Sequence, residues 1–233
     1  MAMLLGADPE FVFQRKGSVF VPANTVLKGS DFGYDGHSAT GELRPAPAPT
    51  ALQLTANIRA LLSDGWKHEI LNDLEMLAGH WKHGVTTGGH IHISGFRMEM
   101  SSLHDKLEMV LVRLSDCIDE LNERAKRHNA GYGTGYRSQD RDWMEHRSPG
   151  SWLLSPQVTF LNLWLAQAVS TAYISRKNDA FEAIGKYPKC DGIIQFATAL
   201  PDVTDQPIFL KVAEKTFSNL PLDWSEDMRA NWS

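Results

Sequence analysis

An α+β fold, a largely antiparallel sheet with helices packed on one face, is what the order and periodicity of this 233-residue chain predict. Four extended runs carry polar side chains two residues apart, the period of a strand: Asp8 and Glu10, Glu42 and Arg44, His90 and His92, Glu145 and Arg147. Other segments repeat apolar residues at helical spacing, around 54–62, 107–121 and 160–172. Strands and helices follow one another without the regular alternation that a parallel sheet requires. The length allows a large core and no stretch reads as a linker, so one domain over residues 1–233 is expected.

Residues 3 to 13 read as a strand that continues into a hairpin, with Phe11 to Gln14, a turn at Arg15-Lys16-Gly17-Ser18, then Val19 to Val21. Pro9 cannot donate to a ladder, which points to an edge, a bulge or a first paired residue. Lys28 to Thr40 is polar and glycine-rich, a loop leading into the Glu42 strand. Asp35 and His37 could reach a site from it, although a solvated turn is the favoured reading of both. The prolines at 45, 47 and 49 end the Glu42 strand, Thr50 caps a helix, and Leu54, Ile58, Leu61 and Leu62 carry that helix to Asp64-Gly65. A shorter helix is expected from Glu69 to Leu77. In the stretch from Thr87 to Gly95, His90, His92 and Ser94 share one face of a strand and Ile91 and Ile93 the other.

Ser102 opens the longest expected helix, whose stripe of Leu107, Val110, Leu111, Leu114, Ile118 and Leu121 fades near His128. Arg124, Lys126 and Arg127 at its end read as cations at the carbonyl end of the helix dipole. The loop Gly131-Tyr132-Gly133-Thr134-Gly135-Tyr136-Arg137 is no Walker sequence, yet its glycines permit a close backbone approach to phosphates with Arg137 directed inward. The Glu145 strand follows. Ser155 and Pro156 then start a helix that is apolar on more than one side, hence central or in an interface. Beyond residue 179 only short helical patterns are legible, at Ala180 to Ile184 and Ile208 to Phe217.

The formal charge of −5 and the lack of any Lys/Arg block argue against a protein built to grip nucleic-acid phosphates. No run approaches the ~20 apolar residues of a membrane span, and the N-terminus lacks the basic start of a signal peptide, so a cytoplasmic protein without a membrane partner is expected. Cys117 and Cys190 match no metal or redox spacing, and Cys117 reads as a buried free thiol.

If the four polar strands share one sheet, four carboxylates, two imidazoles and two guanidiniums converge on one surface. Charge crowded in that way repels unless cations sit among it. Bound metal ions are therefore predicted, with the arginines holding an anionic ligand, a nucleotide triphosphate.

Several of these segments, taken in order, resemble the motifs of the carboxylate-amine ligase superfamily, which includes glutamine synthetase and glutamate-cysteine ligase. They are Gly6 to Phe11, Asp35 to His37 leading to Gly41 to Pro45, Gly89 to Ser94, Tyr136-Arg137 and Trp143 to Pro149. The likeness is strongest to the small amidoligase-type proteins of tailed bacteriophages. It implies a glutamine-synthetase-like curved sheet whose concave face binds ATP with Mg2+ or Mn2+. Residue by residue, it implies Glu10, Glu42 and Glu145 as metal ligands with Asp8 beside them, and His90 in contact with metal or phosphate with His92 as its neighbour. It further implies Arg137 and Arg147 on the phosphates, with Arg44 on either the nucleotide or the carboxylate substrate; the catalytic roles fall to Arg147, Arg137 and Glu42. The activity implied is ATP-dependent amide formation through an acyl phosphate, between small-molecule or peptide carboxylates and amines, in the host-cell cytoplasm and compatible with a homo-oligomer.

Two other readings stand beside it. A metal-dependent hydrolase could use His90-x-His92 as zinc ligands, although the later strand offers Glu145 and Arg147 rather than further histidines. In an inactive homologue or binding module, the same-face pairs would be salt bridges on a solvated sheet.

Overall fold

Period-two alternation governs the first strand, β1 (Leu4–Arg15): Leu5, Ala7, Phe11 and Phe13 are buried in the core, and Asp8 and Glu10 project from the opposite face. The computed structural model describes residues 3–36 and 39–233. β2 (Val19–Val21) closes the expected hairpin, with Phe13 opposite Val21. β3 (Phe32–Tyr34) and β4 (Gly41–Leu43) extend one side of β1, while β5 (Leu74–Leu77) pairs with its far end. β6 (Trp81–Lys82) and β7 (Val85–Thr86) make a small hairpin of their own before β8 (Gly89–Ser94), the other neighbour of β1. β9 (Tyr136–Ser138) and β10 (Trp143–His146) complete the sheet in the order β3-β4-β1-β8-β10-β9, and each of these pairings is antiparallel.

Pro9 therefore sits in a central strand. Leu5 exchanges both backbone hydrogen bonds with Ala48, so the odd residues of β1 direct their backbone groups to the β4 side, and the ladder to β4 begins at Glu10. The missing N–H of Pro9 thus falls just before the first residue paired with β4, where it interrupts nothing.

The helices cover the apolar face. α1 (Ala51–Gly65) begins as expected, the Thr50 side chain accepting from the Gln53 amide at 3.2 Å. α2 (Met100–Ile118) starts two residues earlier than Ser102 suggests, because Glu99 is the cap and its carboxylate accepts from the Ser102 amide at 2.8 Å. The expected long helix then breaks, and α3 (Leu121–Asn129) is a separate element. No proline or glycine marks that break. Asp119 is extended and its carboxylate meets His80 Nε2 at 2.6 Å, Glu120 meets Lys82, and the Ile118 carbonyl accepts from Trp224. These three long-range contacts hold the corner open, and Leu121 is left exposed rather than on the buried stripe.

α4 (Pro156–Ile174) starts at Ser155 with proline in the first turn, is buried almost all round, and packs against α1, α2 and β8. α5 (Glu182–Lys186), α6 (Lys189–Thr198), α7 (Gln206–Phe217) and α8 (Arg229–Trp232) follow, α6 without any forewarning in the sequence reading. The expected helix from Glu69 to Leu77 is replaced by one 3-10 turn, Glu69–Leu71, and the strand β5. Leucine, glutamate and methionine favour a helix there, but pairing with β1 and burial of Leu74 and Met76 outweigh that preference.

Cys117 on α2 and Cys190 on α6 are free and half-buried, and the packing of α2 on α6 makes them neighbours. Burial, with Cys190 beside it, pushes the Cys117 thiol upward. Among the described residues no helix is long and apolar enough to cross a membrane.

Candidate functional site

The strand pairings place the polar residues in a band across the face away from the helices. Glu42 lies opposite Glu10, Asp8 opposite His90, and Glu145 opposite both His92 and Arg137. Asp8, Glu10, Glu42, His90, His92, Arg137, Glu145 and Arg147 all line one cavity of about 570 Å³. Arg44 is the exception. Its side chain turns to the rim, where Nε lies 2.7 Å from Glu42 and Nη1 donates to the Ser30 carbonyl at 2.8 Å, and it does not line the cavity.

Within the cavity, His90 Nδ1 lies 3.3 Å from Asp8 Oδ1 and 3.3 Å from Glu145 Oε1, and His92 Nε2 lies 3.3 Å from the same Asp8 oxygen. These approaches lack hydrogen-bond geometry, so Asp8 Oδ1 and His92 Nε2 are buried polar atoms without a hydrogen-bond partner among the described residues. Atoms left that way favour a ligand that completes them. Arg147 is paired with Glu145, and Glu10 accepts from the Gly88 amide at 2.7 Å.

The electrostatics of the band are uneven. Burial pushes the Glu10 carboxyl up to about 7, with His90 opposing and Asp35 and Asp8 adding to it. Burial likewise pushes Glu42 up to about 8, with Asp8 adding and Arg44 opposing. Burial also acts on Asp8, but the imidazoles of His90 and His92 outweigh it and bring that carboxyl down to about 2. Glu10, Asp35 and Glu42 each present an oxygen within 4.8 Å of the other two, and Asp8, His90 and Glu145 form a second such trio. A divalent cation in the first trio would supply the charge that lets Glu10 and Glu42 ionise at neutral pH, so these donors fit a hard, oxygen-loving ion.

Three parts of the site escape a sequence reading. Asp35, read as part of a solvated turn, reaches the cavity and joins the first trio; His37 lies outside the described residues. Arg127, read as a helix-end cation, is buried against the cavity and donates to the Ser148 carbonyl at 2.7 Å and the Arg147 carbonyl at 3.2 Å. Burial lowers its guanidinium to about 10, and the Glu10 carboxylate opposes that shift most. Gly133 passes over it with φ at +95°, and a Cβ there would lie 2.8 Å from Arg127 Nη1. The segment from Val85 to Gly88 forms another wall. The reach of the 28–40 loop and the glycine loop were the signals available in the sequence; the rest depends on which chain segments fold back over the sheet.

Among solved structures the chain is similar to one described as "Apo GmaS without ligand", with 13% identity and a TM-score of 0.50, covering 100% of this chain and 69% of that one. It is similar also to a bifunctional glutathione synthetase from Pasteurella multocida, with 8% identity and a TM-score of 0.51, covering 97% of this chain but 48% of the synthetase. No curated protein sequence matches it. The fold is the glutamine-synthetase-like one, mostly antiparallel with helices on one face. The sequence pattern of the phage phiEco32-like COOH.NH2 ligase-type 2 family matches residues 5–186, and the chain belongs to that family.

Proposed function

We propose that this chain is an ATP-dependent carboxylate-amine ligase that forms an amide bond through an acyl phosphate. The observation that supports it is the band itself: two trios of metal-ligating atoms side by side, with Arg137 and Arg147 at one end, on one sheet face of a ligase-family chain. The cavity of about 570 Å³ is of a size that holds a nucleotide.

A carboxylate oxygen is a poor leaving group, so the acid is first phosphorylated by ATP. The amine then forms the C–N bond as the acyl C–O bond to phosphate breaks. Mg2+ or Mn2+, when bound, would offset charge on the β and γ phosphate oxygens. Glu10, Asp35 and Glu42 would hold one ion, and Asp8, His90 and Glu145 a second, with His92 beside them facing the nucleotide. Arg147, oriented by Glu145, and Arg137 on the adjoining strand donate to the transferring phosphoryl group; one such contact is commonly worth about 10² to 10³ in rate. Arg127 holds the carbonyls of Arg147 and Ser148 and so positions Arg147.

Thermal denaturation tests the reading, with the chain alone and with Mg-ATP, Mg-ADP, ATP plus EDTA, or zinc, repeated for Glu145→Gln and Arg147→Ala. A ligand at one hundred times Kd stabilises the native state by about 2.7 kcal/mol. A rise that requires both Mg2+ and nucleotide, and that both substitutions abolish, is the expected result and opens a screen of acid and amine pairs for ADP release. Stabilisation by zinc alone that His90→Gln abolishes, or none with nucleotide, overturns the proposal.

A further inference from the structure

On the strand β10, His146 lies between Glu145 and Arg147 and therefore points the other way, toward the helices, where it is fully buried. α2 packs against this strand and brings His104 and Glu108 to it; the two are four residues apart and share one helix face. His104 Nδ1 and His146 Nδ1 are 3.2 Å apart, and Glu108 Oε2 lies 3.7 Å from His146 Nε2. One donor atom from each of the three lies within 4.8 Å of the other two. His146 Nε2 has no hydrogen-bond partner among the described residues.

We propose that His104, Glu108 and His146 form a separate metal site, for a zinc-like cation, on the helix side of the sheet. The spacing suits it. His146 Nδ1 is engaged by His104 at hydrogen-bond distance, so His146 would bind through Nε2, the buried nitrogen that faces Glu108 Oε2 at 3.7 Å and has no partner, within a trio whose donor atoms all lie within 4.8 Å of one another. Two imidazoles and one carboxylate are a zinc set, unlike the oxygen-rich trio of Glu10, Asp35 and Glu42, which suits Mg2+. The ligands are held from outside: the Ser148 hydroxyl donates to Glu108, and Tyr136 packs on the His104 ring with centroids 4.9 Å apart. Glu108 and Ser148 also line a cavity of about 430 Å³, which would admit a cation on the Glu108 side and leave room there for a water ligand. A cation there ties β10 to α2 and stiffens, from behind, the strand that carries Glu145 and Arg147. The zinc site stands whether or not the opposite face binds nucleotide.

The test is a zinc-binding isotherm against a chromophoric chelator, run in excess Mg2+ to fill the oxygen sites, on the wild type and on His104→Gln, Glu108→Gln and His90→Gln. Cobalt absorption reports ligand geometry in parallel. The expected result is one zinc per chain that persists in Mg2+ and in His90→Gln, weakened about 100-fold or more by His104→Gln, with a tetrahedral cobalt spectrum in the wild type. Unchanged zinc affinity in both His104→Gln and Glu108→Gln, loss of zinc in His90→Gln, or displacement by Mg2+ each overturns it. Both substituted α2 residues are partly exposed, and melting curves without metal confirm that the variants are folded.

Discussion

Glutamine in place of Glu42 will flatten the pH dependence of stability in the metal-free protein. In the folded chain, burial, with Asp8 adding to it, holds this carboxyl at about 8, whereas in the unfolded chain it ionises at the ordinary 4.5. Between those values the folded state keeps a proton that the unfolded state has released. Stability therefore falls as pH rises, and the loss is complete once the pH has passed 8. From pH 5 to pH 8.5 the loss comes to about 4 kcal/mol, at about 1.4 kcal/mol per pH unit. Glu42→Gln keeps the shape of the side chain and removes the titration. Urea denaturation in EDTA at both pH values, for the wild type and the variant, isolates the effect, since most other titrating groups cancel in the difference. The variant should gain on the wild type by about 4 kcal/mol between pH 5 and pH 8.5. An equal difference at the two pH values would refute the argument from burial and like-charge crowding.

Two further outcomes follow from the same structure. Divalent metal binding at the sheet face should tighten as pH rises through about 7 and about 8, where Glu10 and Glu42 lose their protons, and level off above; titration calorimetry in buffers of different ionisation enthalpy should show proton release below that range and none above it. Gly89→Ala should lower stability by about 1–3 kcal/mol, because a Cβ there would lie 2.4 Å from both the Gly150 carbonyl and Trp152 Nε1, and a melting temperature equal to that of the wild type would contradict the packing.

What could be read in advance follows from the range of the interactions. Thr50 and Ser155 cap their helices through bonds to amides three residues on, and such contacts are written in adjacent letters. The break between α2 and α3 could not be read, since it is held by His80, Lys82 and Trp224, residues far away in sequence. β5 departs from its local signal for the same reason: propensity favours a helix there, and a distant strand supplies the pairing.

The site divides along the same line. Period-two alternation by itself determined that Asp8 with Glu10, His90 with His92, and Glu145 with Arg147 each share a strand face, because that follows from backbone geometry within a few residues. The tertiary structure alone decided that Glu10 stands opposite Glu42, that Asp35 and Arg127 close the cavity, that Arg44 turns out to the rim, and that His146 meets His104 behind the sheet. Register, strand order and helix docking are set by contacts between segments tens of residues apart, and their energies come from burial summed over the whole core rather than from any one stretch of chain.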